Sequence, residues 1–101
     1  MILVFATFNT KATAIKIGKA LLKQRLIACY SMVPLESAWW WKGQIIDDKG
    51  PLVILKTKES NFPKIESYIN EHSGYEVPEI VAVKADKVNP SYLKWLSEET
   101  K

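Results

Sequence analysis

Apolar side chains run almost unbroken from Ile2 to Phe8, and the run stops at Asn9-Thr10. A short apolar run bounded by turn-forming polar residues predicts a strand. The period then changes. Between Lys11 and Arg25, Ala14, Ile17, Gly18, Leu21 and Leu22 recur at helical spacing, while Lys16, Lys19 and Lys23 fall on the other side. This predicts an amphipathic helix capped by Asn9 or Thr10. Ile27 to Trp41 is rich in β-branched and aromatic residues and predicts extended chain. Pro34 has no amide hydrogen to give a neighbouring strand, so a bulge, a bend or an edge position is expected there. Lys42-Gly43 marks a turn, and Gln44 to Thr57 reads as the returning strand, with Asp47-Asp48-Lys49-Gly50 as a polar kink or loop within it. Ser60 is placed to cap a second helix, with Pro63 in its first turn and Phe62, Ile65, Ile69 and His72 on one face. Ser73-Gly74 ends that helix, Val77 to Val83 predicts a fourth strand, and Asn89-Pro90 opens a short third helix carrying Tyr92, Trp95 and Leu96 on one side. The order β-α-β-β-α-β-α implies an α+β fold. It is a ferredoxin-like two-layer sandwich with helices on one face of a four-stranded antiparallel sheet and a C-terminal helix appended.

The strands are too apolar for that arrangement alone. Side chains alternate between the faces of a strand, so a strand buried on one side should alternate apolar and polar. Here Ile2 to Phe8 and Leu52 to Leu55 place apolar groups on both faces, and Trp39-Trp40-Trp41 must send two rings one way and one the other. Two long helices cover one face only. Leaving the second in water forgoes roughly 1.5–3 kcal/mol for each large side chain and leaves an adhesive patch. The expectation is a homo-oligomer that packs Trp39, Trp40 and Trp41 between subunits; the alternative is a curled sheet covered by its own long strands and third helix.

With 101 residues the chain has the size of one domain, spanning 1–101. Apolar residues make up 48% and charged residues 25%, which excludes disorder. One Cys excludes an intrachain disulfide and a Cys-rich zinc site, and one His excludes chemistry that needs two imidazoles from one chain. A net charge of +3 permits acidic partners without demanding them. The apolar start is far shorter than the roughly 20 residues of a membrane span and lacks the basic lead of a signal peptide. A soluble cytoplasmic protein without a membrane partner is expected.

Several segments together resemble the CutA divalent-cation tolerance family. They are Lys23-Gln24-Arg25-Leu26-Ile27-Ala28-Cys29, Trp40-Trp41-Lys42-Gly43, Ile54-Leu55-Lys56-Thr57, Tyr75-Glu76-Val77-Pro78-Glu79-Ile80 and Tyr92-Leu93-Lys94-Trp95-Leu96. The resemblance runs from about residue 2 to residue 99. It implies a ferredoxin-like subunit in a compact homotrimer, a cytoplasmic protein connected with tolerance to copper and other divalent cations, and no firmly attached enzymatic activity. It also implies an architecture like that of PII-type signalling trimers, which hold small ligands at subunit clefts. The chain departs from the family pattern at two places. His72-Ser73-Gly74-Tyr75 has one residue more than usual between the imidazole and the tyrosine, and Ala6 stands where some members carry a thiol.

His72, the sole imidazole, with carboxylates such as Glu71, Glu76 or Glu79, would make a weak, exchangeable site for copper(II) or another divalent cation. Equally, His72 is placed to complement the C-terminal end of the second helix. Cys29 is a soft metal ligand, yet it lies in Leu26-Ile27-Ala28-Cys29, which reads as buried strand where a thiol is a small inert hydrophobe. Lys56, Tyr75 and Glu79, in stretches that match the family, would line a subunit cleft for a small anion; otherwise Lys56 and Glu79 form a buried ion pair and Tyr75 bonds to backbone. Lys11 to Arg25 holds five basic residues and no acidic one, but Leu52 to Thr57 lacks the aromatics an RNA-binding sheet needs, so no nucleic-acid partner is expected. No nucleophile–base–orienter set appears, so no catalytic residue and no organic cofactor is expected. Three functions follow: a metal-binding tolerance trimer, a small-ligand module, or a trimer whose role is structural.

Overall fold

The computed structural model describes residues 1–101. In β1 (Ile2–Thr7) the two apolar faces have different fates. Ile2, Val4 and Ala6, with Phe8 just beyond, are buried beneath the helices, while Leu3, Phe5 and Thr7 on the opposite face are half-buried. α1 (Lys11–Lys23) begins at Thr10, whose hydroxyl accepts the Thr13 amide at 3.1 Å, and buries Ala14, Ile17, Gly18 and Leu21. The helix stops short of the expected end at Arg25. Arg25 takes a left-handed conformation, φ 58°, and the amides of Leu26 and Arg25 bond back to the carbonyls of Leu21 and Leu22 at 3.1 and 3.0 Å. This is a Schellman closure, and it seats Leu26 among the buried residues with Leu21.

β2 (Cys29–Trp41) and β3 (Gln44–Thr57) pair without interruption, from Cys29 opposite Lys56 to Trp41 opposite Gln44. The expected kink at Asp47–Gly50 is therefore regular strand, and Pro34 causes no bulge. Pro34 faces Pro51. Alternate couples in an antiparallel ladder exchange no hydrogen bonds, and Pro51 turns its carbonyl toward β1, where it accepts the Phe8 amide at 3.3 Å. Two prolines opposite one another thus cost the β2–β3 ladder nothing. Pro34 does lie on an edge strand, since the sheet order is β2-β3-β1-β4. The hairpin turns at Lys42 and Gly43, both with positive φ, 50° and 79°.

A 3-10 turn, Glu59–Asn61, leads into α2 (Phe62–His72), so Asn61 and not Ser60 stands at the N-cap. The Asn61 side chain bonds to the Leu26 carbonyl at 3.2 Å and the Thr57 hydroxyl at 3.1 Å, tying the helix start to the sheet. Ile65 and Ile69 are fully buried, but His72 is exposed and does not share their buried face. β4 (Ile80–Lys84) starts three residues later than expected. Pro78 has no donor for a ladder, and Val77 is 71% exposed in the loop before it. β4 pairs antiparallel with β1, from Ile80 opposite Ala6 to Lys84 opposite Ile2. α3 (Pro90–Glu99) follows Asn89 and buries Leu96.

The register fixes which side chains share the sheet's open face. One row reads Cys29, Lys56, Leu3, Val83, and the next Ser31, Ile54, Phe5, Val81. α3 meets this face where the Tyr92 hydroxyl lies 3.4 Å from the Cys29 sulfur, and it packs against β3. Val33, Val81 and Val83 remain exposed, so the single chain does not cover its own second face by curling.

Candidate functional site

β2 and β3 are 13 and 14 residues long, whereas β1 has 6. β1 leaves β3 at Thr7 opposite Leu52, so the far part of the hairpin projects beyond the sheet. Between that projection and the loop before β4 lies a cleft of about 740 Å³. Trp39 pairs with Ile46 across the hairpin and Ser37 with Asp48, which places these side chains on one side. Trp40 and its partner Ile45 point away and are largely exposed. The loop contributes Tyr75, Glu76, Val77 and Glu79 to the opposing wall, and Thr7, Phe8 and Gly50 form part of the lining. Gly50 is required where the backbones close in, because a Cβ there would fall on the carbonyl oxygen of Phe8.

The cleft is acidic and aromatic. Asp48, Glu76 and Glu79 line it, with no Lys or Arg. Burial, and then the nearby Asp48 charge, push the Tyr75 phenol above its ordinary value, so it is neutral over the physiological range. Trp41 already carries a cation against its ring: Lys42 Nζ lies 5.5 Å from the centroid.

Tyr75 and Glu79 therefore meet at one cleft, but Lys56 does not join them. Its ammonium donates to the Ser31 hydroxyl at 3.4 Å, and no Lys56–Glu79 ion pair forms. Lys56 sits opposite Leu3, whereas Glu79 precedes the partner of Ala6, a separation of about 13 Å along β1. Tyr75 bonds to Ser73 through its backbone amide, which donates to the Ser73 hydroxyl at 3.2 Å.

The metal-donor candidates His72, Glu79 and Cys29 are also dispersed. No group of three His, Cys, Asp or Glu side chains is arranged to hold a metal ion. His72 ends α2 with Nδ1 2.9 Å from the Tyr68 carbonyl oxygen and its ring stacked on Tyr68 at 3.9 Å. When Nδ1 carries the proton in that bond, Nε2 presents a free lone pair. Cys29 is half-buried, not fully buried, and its sulfur lies against the Tyr92 hydroxyl. The Tyr92 phenol is pushed up to about 12, first by that hydrogen bond and then by burial. Within one subunit the residues thus offer a single outward imidazole nitrogen and no chelating set.

Asp48 is a cleft residue that the sequence alone hides, because Asp47-Asp48-Lys49-Gly50 has the composition of a turn. Once the turn is set at Lys42-Gly43, the alternation of Trp39 with Ile46 and Ser37 with Asp48 follows from counting outward along the hairpin.

The family model described as CutA1 divalent ion tolerance protein matches residues 2–99. The divalent-cation tolerance protein CutA of Pyrococcus horikoshii is 45% identical over 101 residues, covering 100% of this chain and 99% of that one. Its Thermotoga maritima counterpart is 39% identical over 98 residues, covering 97% of each. Among solved structures, CutA1 from Pyrococcus horikoshii superposes with a TM-score of 0.95 at 44% identity, covering 100% of this chain and 99% of that chain. The Cut A1 divalent cation tolerance protein of Thermus thermophilus gives 0.95 at 38% identity, with both chains fully covered. The sheet order, the three helices and the matched length agree: the chain belongs to the CutA1 divalent ion tolerance family.

Proposed function

We propose that the protein serves tolerance to divalent cations as a homotrimer that binds Cu(II), or another divalent ion, weakly and exchangeably through His72 Nε2. The family membership over residues 2–99 carries this reading. The geometry adds a ligand nitrogen whose partner ring atom is engaged by the Tyr68 carbonyl. One imidazole on an exposed helix end supports exchange and not tight capture, because no second donor completes a chelate within the subunit. Self-assembly is supported by the uncovered face carrying Val33, Val81 and Val83. The names of the relatives describe tolerance and no reaction. A cleft for an anion built on Lys56 and Tyr75 would have to draw the two residues from different subunits, since within one chain Lys56 stands apart and carboxylates face Tyr75.

Isothermal titration with Cu(II) of the wild type and His72→Ala tests the assignment. The wild type should give a saturable heat that the variant loses. Equal binding by both removes His72 from the reaction with metal.

A further inference from the structure

We propose that the outward face of α1 is a docking surface for double-stranded DNA, held by its phosphate backbone without regard to base sequence. The inference does not rest on the metal reading at His72. It uses the side of the molecule opposite to the sheet face that the homotrimer would cover.

The distribution of charge along the chain is the first argument. Residues 1–35 hold five Lys and Arg and no Asp or Glu, whereas residues 36–101 hold nine against eleven. The net charge of +3 therefore comes entirely from the first third, and all five of its cations belong to α1 and its closure at Arg25. Lysines elsewhere stand in mixed surroundings. Beyond Glu36 every lysine except Lys42 has a carboxylate within four positions along the chain, whereas Lys16, Lys19 and Lys23 have none nearer than Glu36. The ion pairs of the fold also leave these three out.

Their alignment is the second argument. α1 buries Ala14, Ile17, Gly18 and Leu21 against the sheet and turns Lys16, Lys19 and Lys23 to solvent on the other side. At 3.6 residues per turn the three fall within about 60° around the axis and span about 10 Å along it. Like charges at i, i+3 and i, i+4 repel, so the helix alone gains nothing from this row. A duplex gives the row a use: it carries one negative charge per about 1.7 Å and releases condensed counterions where ammonium groups replace them. The B-form major groove admits a helix face, and the deep, narrow A-form groove of RNA does not. Two side chains beside the row could bond to base edges, and both are engaged within the chain. The Gln24 amide donates to the Ala20 carbonyl at 3.2 Å, and the Arg25 guanidinium donates to the Glu99 carboxylate at 2.9 Å. Lysines alone position a backbone and read no sequence. The sheet has no aromatic platform at Leu52 to Thr57 for stacked bases, and neutralising phosphates needs none.

Fluorescence anisotropy of a labelled DNA duplex of mixed sequence, titrated with the assembled protein at about 20 mM salt, tests the proposal. Binding should be saturable, equal for a second unrelated sequence, and weaker for an RNA duplex of the same length. Its logarithm should fall against the logarithm of salt with a slope of about −2.7 or steeper, as three neutralised phosphates require. The triple variant Lys16→Gln, Lys19→Gln, Lys23→Gln should bind at least tenfold more weakly with an unchanged melting temperature or a higher one, and the corresponding triple Arg variant should bind as the wild type does. Lys64→Gln, Lys87→Gln, Lys94→Gln removes the same charge from exposed positions elsewhere and should bind as the wild type does. Any of four results overturns the proposal. They are no saturable binding up to about 100 μM protein, equal weakening by the two Gln triples, an RNA duplex bound as tightly as DNA, or phosphatidylserine vesicles holding the protein through these lysines at a salt concentration that frees it from DNA. The second would leave net charge as the cause, and the last would assign the face to a membrane surface.

Discussion

Tyr92 ties the start of β2 to α3 through one contact, its hydroxyl against the Cys29 sulfur at 3.4 Å. That bond and burial hold the phenol up to about 12, against an ordinary value near 10 in the unfolded chain. The folded protein keeps this proton longer than the unfolded chain does. Above pH 10 the unfolded state therefore binds fewer protons, and stability falls as pH rises toward 12. Below pH 10 the contribution is fully present. Denaturant unfolding followed from pH 9 to about 12 should show a declining limb that is shallower in Tyr92→Phe than in wild type. The comparison is of slopes, because the variant also loses the thiol contact and is weakened at every pH. Identical slopes would mean that Tyr92 titrates alike in both states. Arg25 shows a different use of a single position. A left-handed residue at a helix end is ordinarily Gly, since a Cβ costs about 1 kcal/mol there. Arg25 recovers this by holding the chain terminus: its guanidinium donates to the Glu99 carboxylate at 2.9 Å, and its carbonyl accepts the Lys101 amide at 2.9 Å.

The hairpin is the element on which both cleft and tryptophans depend, and its two-residue turn fixes the register of every couple behind it. Gly43 has φ 79° and nothing within 4 Å of where a Cβ would stand. The cost of a side chain there is purely conformational. Gly43→Ala should lower stability by about 1 kcal/mol, and Gly43→Asn by clearly less, because Asn tolerates left-handed backbone. Thermal melts of the three proteins decide it; equal losses would point to a packing cause. That turn is legible in the sequence, as are the order of elements and the surplus of apolar residues on the strands. What misleads are signals whose meaning depends on a distant partner. Pro34 reads as a disruption until Pro51 is set opposite it in a couple that needs no hydrogen bond. Asp47–Gly50 reads as a loop until β2 supplies a ladder for it. α1 reads as continuing to Arg25 because its stop carries no glycine. Lys56 and Glu79 read as neighbours although β1 sets them at opposite ends, and the approach of Tyr75 to Asp48 joins segments that no local pattern connects.

For the molecule, the decisive feature is a sheet whose two long helices cover one side while α3 reaches the other only in part. Phe5, Ile54 and Val81 form one row across the other side, and Val81 is 51% exposed at the β4 edge. In a lone subunit a charge at so exposed a position changes stability by no more than about 0.5 kcal/mol. In the proposed homotrimer the same charge is taken out of water without a partner, which costs several kcal/mol and opposes assembly. Val81→Glu therefore separates the two cases, because local cost and interface cost differ by an order of magnitude. Multi-angle light scattering of the wild type should give three times the 11.5 kDa chain mass, and the variant should fall toward a single chain on dilution. Its melting temperature should become concentration-dependent as assembly and folding are linked. A variant that keeps the wild-type mass and melting temperature would show that subunits meet elsewhere, and that Val33, Val81 and Val83 stay in solvent. In that case the hairpin tryptophans lose their reading as packing groups between copies, because Trp39 and Trp41 share the face of β2 that carries Val33.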